Sequence, residues 1–296
     1  MQLREALKDK KRIVIKVGTS TVTYERTGNI NLEKLEKFVR ILINLRNKGK
    51  DVIVVSSGAV GIGKNVLGME EKPTGTVKQA CAAVGQARLM MIYEKFFNEY
   101  SQLTAQVLLT KESIYHTECR ESARRTFEEL LDMNVVPIVN ANDAIAVDEE
   151  TYGNFGDNDT LAADVAAVVN ADLLIMMSDI EGLYTDDPRV NPNARFVHTV
   201  YKIDDQLVNM GKGAGTVLGS GGMATKIEAA KIATEAGADM VIANGENIYT
   251  INDVMAGKKI GTLFVSKDKQ HGEENELAPA TAEYRRKVKI EKKLRA

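Results

Sequence analysis

Lys16 stands where a buried strand should leave its sheet, two residues before a glycine. The run Ile13-Val14-Ile15-Lys16-Val17 is β-branched apart from the lysine, and Gly18, Thr19 and Ser20 follow at once. Such a run suits a strand covered on both faces. Gly18 lets the backbone bend and approach a ligand, its amide and those of Thr19 and Ser20 can face a phosphate, and Lys16 supplies the counter-charge. The segment is not a Walker A loop, because no second glycine followed by Lys and Ser or Thr comes at the required spacing. It also fits a strand end with a surface lysine and a turn. Lys226 presents similar groups. It ends Gly219-Ser220-Gly221-Gly222-Met223-Ala224-Thr225-Lys226, a glycine-rich segment that runs into a helix and forms a second phosphate cradle.

Acidic and amide side chains cluster elsewhere. Asn140-Ala-Asn-Asp143-Ala and Gly156-Asp157-Asn158-Asp159-Thr bracket one loop and supply acceptors for an ammonium group and for lysines. Asp157 to Asp159 also fit the start of the helix through Leu161–Val169, where such residues cap. Ser56-Ser57-Gly58-Ala59 follows the apolar strand Asp51–Val55. Small residues there suit a ligand site or a close helix–sheet contact. Ser178 and Asp179 open a long loop after the apolar strand Ala171–Met177, at a strand end where open α/β sheets bind ligands.

These groups need elements to position them. Strands are expected at 13–17, 51–55, 103–109, 135–139 (with Pro137 inside), 171–177, 239–243 and 261–265. Helices are expected at 31–48, capped by Asn31, then at 76–100, 120–133, 161–169 and 226–236. Alternating strands and helices imply an α/β three-layer sandwich with a mainly parallel central sheet. The Met90–Phe97 stretch reads as core or subunit contact. After residue 266 the pattern gives way to a Lys/Arg/Glu-rich tail.

Composition narrows the classes. The chain has 296 residues, 44% hydrophobic and 27% charged, with a formal net charge of −2, so no global field draws it to nucleic acid or anionic membrane. Cys81 and Cys119 offer neither a disulfide framework nor metal-ligand spacing, and His116, His198 and His271 are scattered. An apolar leader core and a membrane-length apolar run are both missing, so a cytoplasmic address is the expectation.

Taken in order, Lys16-Val-Gly-Thr-Ser, Ser56-Ser-Gly-Ala, Gly156-Asp-Asn-Asp, Ser178-Asp-Ile-Glu-Gly-Leu-Tyr, Gly221-Gly-Met-Ala-Thr-Lys and Gly261-Thr-Leu-Phe resemble the amino acid kinase superfamily. The likeness spans roughly residues 10–266, and the Asn140 and Gly156 segments favour the members that act on L-glutamate. It implies a kinase domain over 1–266 and a charged tail over 267–296. Many bacterial members carry a further RNA-binding-like domain of the PUA kind; about thirty residues after 266 are too few for one, so functions tied to it are not expected.

The resemblance implies transfer of the ATP γ-phosphoryl group to the side-chain carboxylate of L-glutamate, with Mg²⁺ bridging the phosphates. Lys16, Lys226 and Asp159 are the implied catalytic residues, Asp159 holding both ammonium groups. Ser57, Gly58, Asp143, Asp157 and Asn158 are implied at the amino-acid substrate, with Asp143 at its α-ammonium. Lys16, Gly18, Ser178, Asp179 and the 220–226 segment (Ser220, Gly221, Gly222, Met223, Ala224, Thr225, Lys226) are implied at ATP. Proline as a feedback inhibitor and a homo-oligomer are further expectations. Rival readings are a kinase of the same fold acting on N-acetylglutamate, aspartate, carbamate or UMP, and a non-catalytic sensor of amino acid or nucleotide. A nucleic-acid binder rests on the basic tail alone.

Overall fold

The computed structural model describes residues 2–24, 26–145, 158–186, 191, 193–205, 207–208, 222–269 and 276–279. Among these, one sheet runs through the molecule. Its strands are β1 (Arg12–Val17), β2 (Asp51–Ser56), β3 (Thr104–Leu109), β4 (Val136–Ala141), β5 (Leu173–Ser178), β6 (Arg195–Val200), β7 (Asp239–Asn244), β8 (Thr262–Phe264) and β9 (Glu276–Pro279). Their order is β3-β4-β2-β1-β5-β7-β8-β6-β9. Pairing is parallel from β3 to β7 and between β6 and β8; β7–β8 and β6–β9 are antiparallel. Helices cover both sides, so the expected α/β sandwich with a mainly parallel sheet is present.

Alternation along the strands assigns each residue to a layer. On β1, Ile13, Ile15 and Val17 join a core with Leu35, Phe38 and Leu42 of helix Leu32–Asn47 and Leu89, Tyr93 and Phe97 of helix Gly75–Asn98. Val14 faces the other core, with Leu161 and Val165 of helix Asn158–Val168 and Ile227 and Ala230 of helix Met223–Glu235. Lys16 is two residues beyond Val14, so it lies on that second face. A one-residue slip would put Lys16 into the first core and force Ile13, Ile15 and Val17 into packing built around Val14. The register is therefore closely held, with Lys16 opposite Val55 on one side and Met176 on the other.

Several local features have direct causes. Asn31 caps its helix, its side chain accepting from the Lys34 amide at 3.0 Å. Pro137 lies in β4, an inner strand, where a missing N–H should break a ladder. The ladder to β2 starts only at Ile138, so the proline meets no demand from that side. Gly58 has φ +101°, a left-handed conformation that other residues adopt at a cost, and it turns the chain from β2 into helix Ala59–Val66. Beyond it the small residues serve a helix–helix contact. A Cβ on Gly63 would fall 1.8 Å from the Cys81 carbonyl oxygen, and one on Gly85 1.8 Å from that of Ala59.

Two strands lie outside the sequence expectations. β6, Arg-Phe-Val-His-Thr-Val, has a mixed pattern without clear alternation. β9 is a short strand inside the segment read as a charged tail, and it pairs with β6. Among the described residues no helix is long and apolar enough to cross a membrane.

Candidate active site

Parallel strands β1, β2, β4, β5 and β7 all end at one edge of the sheet, and the polar segments follow those ends. Asp159, in the first turn of helix Asn158–Val168, is fully buried there. Its Oδ1 lies 2.5 Å from Lys16 Nζ and its Oδ2 accepts a hydrogen bond from Lys226 Nζ at 2.9 Å. The Lys16 contact is a close ion pair. Both lysines are themselves buried, at 6% and 5% exposure. Burial alone would push the Asp159 carboxyl up; the charges of Lys16 and Lys226 outweigh it and hold the group below the ordinary carboxylate range.

A set of amides adjoins this charged trio. Asn158 Nδ2 donates to the Ser56 carbonyl at 2.8 Å, to Ser57 Oγ at 2.7 Å and to Asn140 Oδ1 at 3.0 Å. It thereby ties the ends of β2 and β4 to the helix that carries Asp159. Ser56 Oγ in turn shares a 3.0 Å hydrogen bond with the hydroxyl of Tyr93, which is buried in the first core. Gly18 has φ −78°, which any residue adopts, so its value is spatial: a Cβ there would lie 3.8 Å from Lys16 Nζ.

The remaining expected residues fall at the same edge with looser connections. Asp143 follows β4 and is half-buried; burial pushes its carboxyl up while the charge of Lys78 pulls it down. Ser178 ends β5 beside β1, donating from Oγ to the exposed Asp179 carboxylate at 3.0 Å. Gly222, Met223, Ala224 and Thr225 form the entry to the Lys226 helix, with Thr225 Oγ1 donating to the Gly222 carbonyl at 2.8 Å. Asp157, Ser220 and Gly221 lie outside the described residues. Lys16, Asp159, Lys226, Asn158 and Ser57 are thus brought into one connected cluster. Asn140, from the first polar segment read in the sequence, joins it too, and so does Gln86, which was not singled out. The available signal for Gln86 was its place on the buried stripe with Ala82, Leu89 and Tyr93 of its helix, a polar residue at a core position.

The sequence pattern of the amino acid kinase family matches residues 11–244. This chain belongs to the amino acid kinase family. It is 51% identical over 267 residues to a glutamate 5-kinase of Clostridium perfringens, covering 90% of this chain and 99% of the relative. A glutamate 5-kinase of Clostridium tetani is 53% identical over 262 residues, covering 88% and 97%. Among solved structures, a carbamate kinase from Giardia lamblia bound to AMP-PNP superposes with a TM-score of 0.62 at 16% identity, covering 88% of this chain and all of that one. A UMP kinase from Ureaplasma parvum gives 0.59 at 19% identity, covering 86% and 99%. At these identities the structures attest the fold.

The Asp159 geometry sets a pH dependence. A carboxyl whose pKa is depressed by folding stabilises the fold above its unfolded value, about 3.9, and loses that contribution as pH falls below it. Asp159→Asn leaves two buried ammonium groups without their counter-charge, so at pH 7 it should cost about 3 kcal/mol of stability. The gap between wild type and variant should narrow in urea melts below about pH 4. A gap that is absent at pH 7, or constant down to low pH, would show that the carboxylate is not held by the two lysines.

Proposed function

We propose that this chain transfers the γ-phosphoryl group of ATP to the side-chain carboxylate of L-glutamate, giving L-glutamyl 5-phosphate, the first step of proline synthesis. Relatives that carry this activity in their names align over nearly their whole length. The observation that carries the mechanism is the buried carboxylate pinned between two buried ammonium groups where the strands end.

The chemistry asks for little else. A glutamate carboxylate, with an ordinary pKa of about 4.3, is already ionised near neutrality and needs no general base. The obstacle is bringing that anion onto a polyphosphate. The Lys16–Asp159–Lys226 trio carries one net positive charge, preorganised and shielded from water, where it counters charge in the transition state. Lys16 meets the transferred phosphoryl group and Lys226 the nucleotide phosphates. Asp159 holds both ammonium groups in place and moves no proton. With no side chain on Gly18, the approach to Lys16 Nζ stays open, and the Gly18, Ser57 and Gly58 amides adjoin the phosphates and the acceptor. Ser178, Asp179, Ser220, Gly221 and the turn from Gly222 to Thr225 attend the nucleotide.

Among the described residues no three metal-ligating side chains come together. That donor set fits Mg²⁺ carried in on the phosphates of ATP and held mainly by phosphate oxygens and water. Bound there, the cation would neutralise phosphate charge.

At the amino-acid end, Asp143 takes the α-ammonium, with Ser57, Asn158 and Asp157 as further contacts. Proline shares that end and lacks the acceptor carboxylate, so it occupies the site without reacting and acts as a feedback inhibitor. The kinase domain spans 1–266, with the charged tail of 267–296 lending β9 to the sheet. A cytoplasmic homo-oligomer completes the reading; exposed Leu103 and Met133 beside the edge strand β3 fit a contact between copies.

The direct test is a coupled ATP assay with L-glutamate, trapping the acyl phosphate as its hydroxamate, run beside N-acetylglutamate, aspartate, carbamate and UMP. Lys16→Ala and Lys226→Ala should each lower kcat by about 10²–10³ in folded protein. Turnover near wild type in either variant, or preference for another acceptor, would overturn the assignment. A separate measurement addresses the shared anchor. Asp143→Ala should raise KM for glutamate and weaken proline inhibition together, each by about 10- to 100-fold, the worth of one charged hydrogen bond. Proline sensitivity that survives the loss of glutamate affinity would show that the ligands do not share Asp143.

A further inference from the structure

Behind the amide cluster a chain of carboxamides runs out through the sheet. Asn158 Nδ2 donates to Asn140 Oδ1, Asn140 Nδ2 donates to Gln86 Oε1 at 2.9 Å, and Gln86 Nε2 donates to Gln106 Oε1 at 3.0 Å. Asn140 and Gln86 are buried, while Gln106 is exposed on the edge strand β3. Each amide has two ends that look alike in shape, so the direction of the chain is a real choice. Backbone groups make it. The Ala141 N–H, which can only donate, points at Asn140 Oδ1 at 2.9 Å, and the Ser56 carbonyl, which can only accept, faces Asn158 Nδ2. Asn140 must therefore turn its NH₂ toward Gln86, and Gln86 must answer with its oxygen.

The direction has a consequence at the site. The two hydrogens of the Asn158 NH₂ are shared among three acceptors, so what that side chain has left to offer is its Oδ1, an acceptor suited to an ammonium group. Ser57 Oγ already accepts from Asn158, which leaves its O–H free to turn as a donor toward a carboxylate. We infer that Gln86 is a positioning residue for the amino-acid substrate: by accepting from the Asn140 NH₂ it stabilises the orientation that the Ala141 N–H sets, and so helps Asn158 present an acceptor and Ser57 a donor. This rests on the reading of Ser57 and Asn158 as substrate contacts. Gln86 touches no reacting atom. Among the described residues it supplies the acceptor for a buried NH₂ that would otherwise be left unmatched, loosening Asn140 and, through it, Asn158.

Steady-state kinetics of Gln86→Met, Gln86→Glu and Gln106→Met, with glutamate and ATP varied separately, test the inference. Gln86→Met keeps the volume and removes the acceptor. It should raise KM for glutamate about tenfold, the cost of a buried donor left unmatched, with KM for ATP within about twofold of wild type. Gln86→Glu keeps an oxygen for Asn140 Nδ2 and should bring KM for glutamate back to within about threefold of wild type. A residue that merely fills the core would shift melting temperature without this split and without the rescue. An unchanged KM for glutamate in Gln86→Met, an equal rise for both substrates, or a Glu variant no better than Met would overturn the inference. If Gln86→Met does not fold, Gln106→Met carries the test from the exposed side. It should raise KM for glutamate about two- to fourfold at unchanged melting temperature, and no rise would overturn the inference. Wild type is assayed in parallel. Failure of wild type to form the hydroxamate sinks the glutamate assignment, whereas normal wild-type turnover with indifferent variants sinks only the role of Gln86.

Discussion

The carboxylate of Asp159 is the point at which three distant parts of the chain meet. Lys16 comes from the central strand, Asp159 from the helix after the bracketed loop, and Lys226 from the helix after the glycine-rich segment. Each of these charges is buried, and each would cost several kcal/mol without its partners. The arrangement is therefore mutual: Asp159 makes it tolerable to bury two lysines, and the lysines keep Asp159 ionised against the pull of its own burial. Strand register and helix placement must both be right for this to hold, so the fold and the charged centre specify one another.

Around that centre the site divides its work by chemistry. Charge gathers at the exit of β1 and the entry of the Lys226 helix, where the proposed function places phosphate. Neutral amides gather at the exits of β2 and β4, where the proposed function places the amino-acid zwitterion. Glycines mark the places where space or backbone twist matters: Gly58 for its left-handed turn, Gly18 for the opening before Lys16. The close helix pair built on Gly63 and Gly85 brings helix Gly75–Asn98 near enough for Gln86 to reach Asn140 and for Tyr93 to reach Ser56.

Much of this could be read from the sequence because the signals were local. Apolar runs marked β1, β2 and β5, and lysines a few residues from glycines marked the ends proposed to face phosphate. Asp159 was readable only as ambiguous, since an acidic residue at a helix start is more simply a cap; its partners lie 143 and 67 residues away in the chain, and no local pattern links them. Gln86 is hidden for a similar reason. Its partners come from β3 and β4, and a lone polar residue on a buried stripe shows that something must satisfy it without showing what. β6 escaped because a mixed polar pattern leaves no clear period, and its place is set by pairing with β8 and β9 rather than by its own alternation.

Whether Asp159 arranges charge or removes a proton can be decided by the pH dependence of kcat in Asp159→Asn against wild type. If the carboxylate only holds Lys16 and Lys226 in place, the variant should show a lower plateau and the same limbs across neutral pH, because the glutamate nucleophile is ionised without help. Loss of the acidic limb in the variant would mean that Asp159 is a general base, and would contradict a site that works by positioned charge alone.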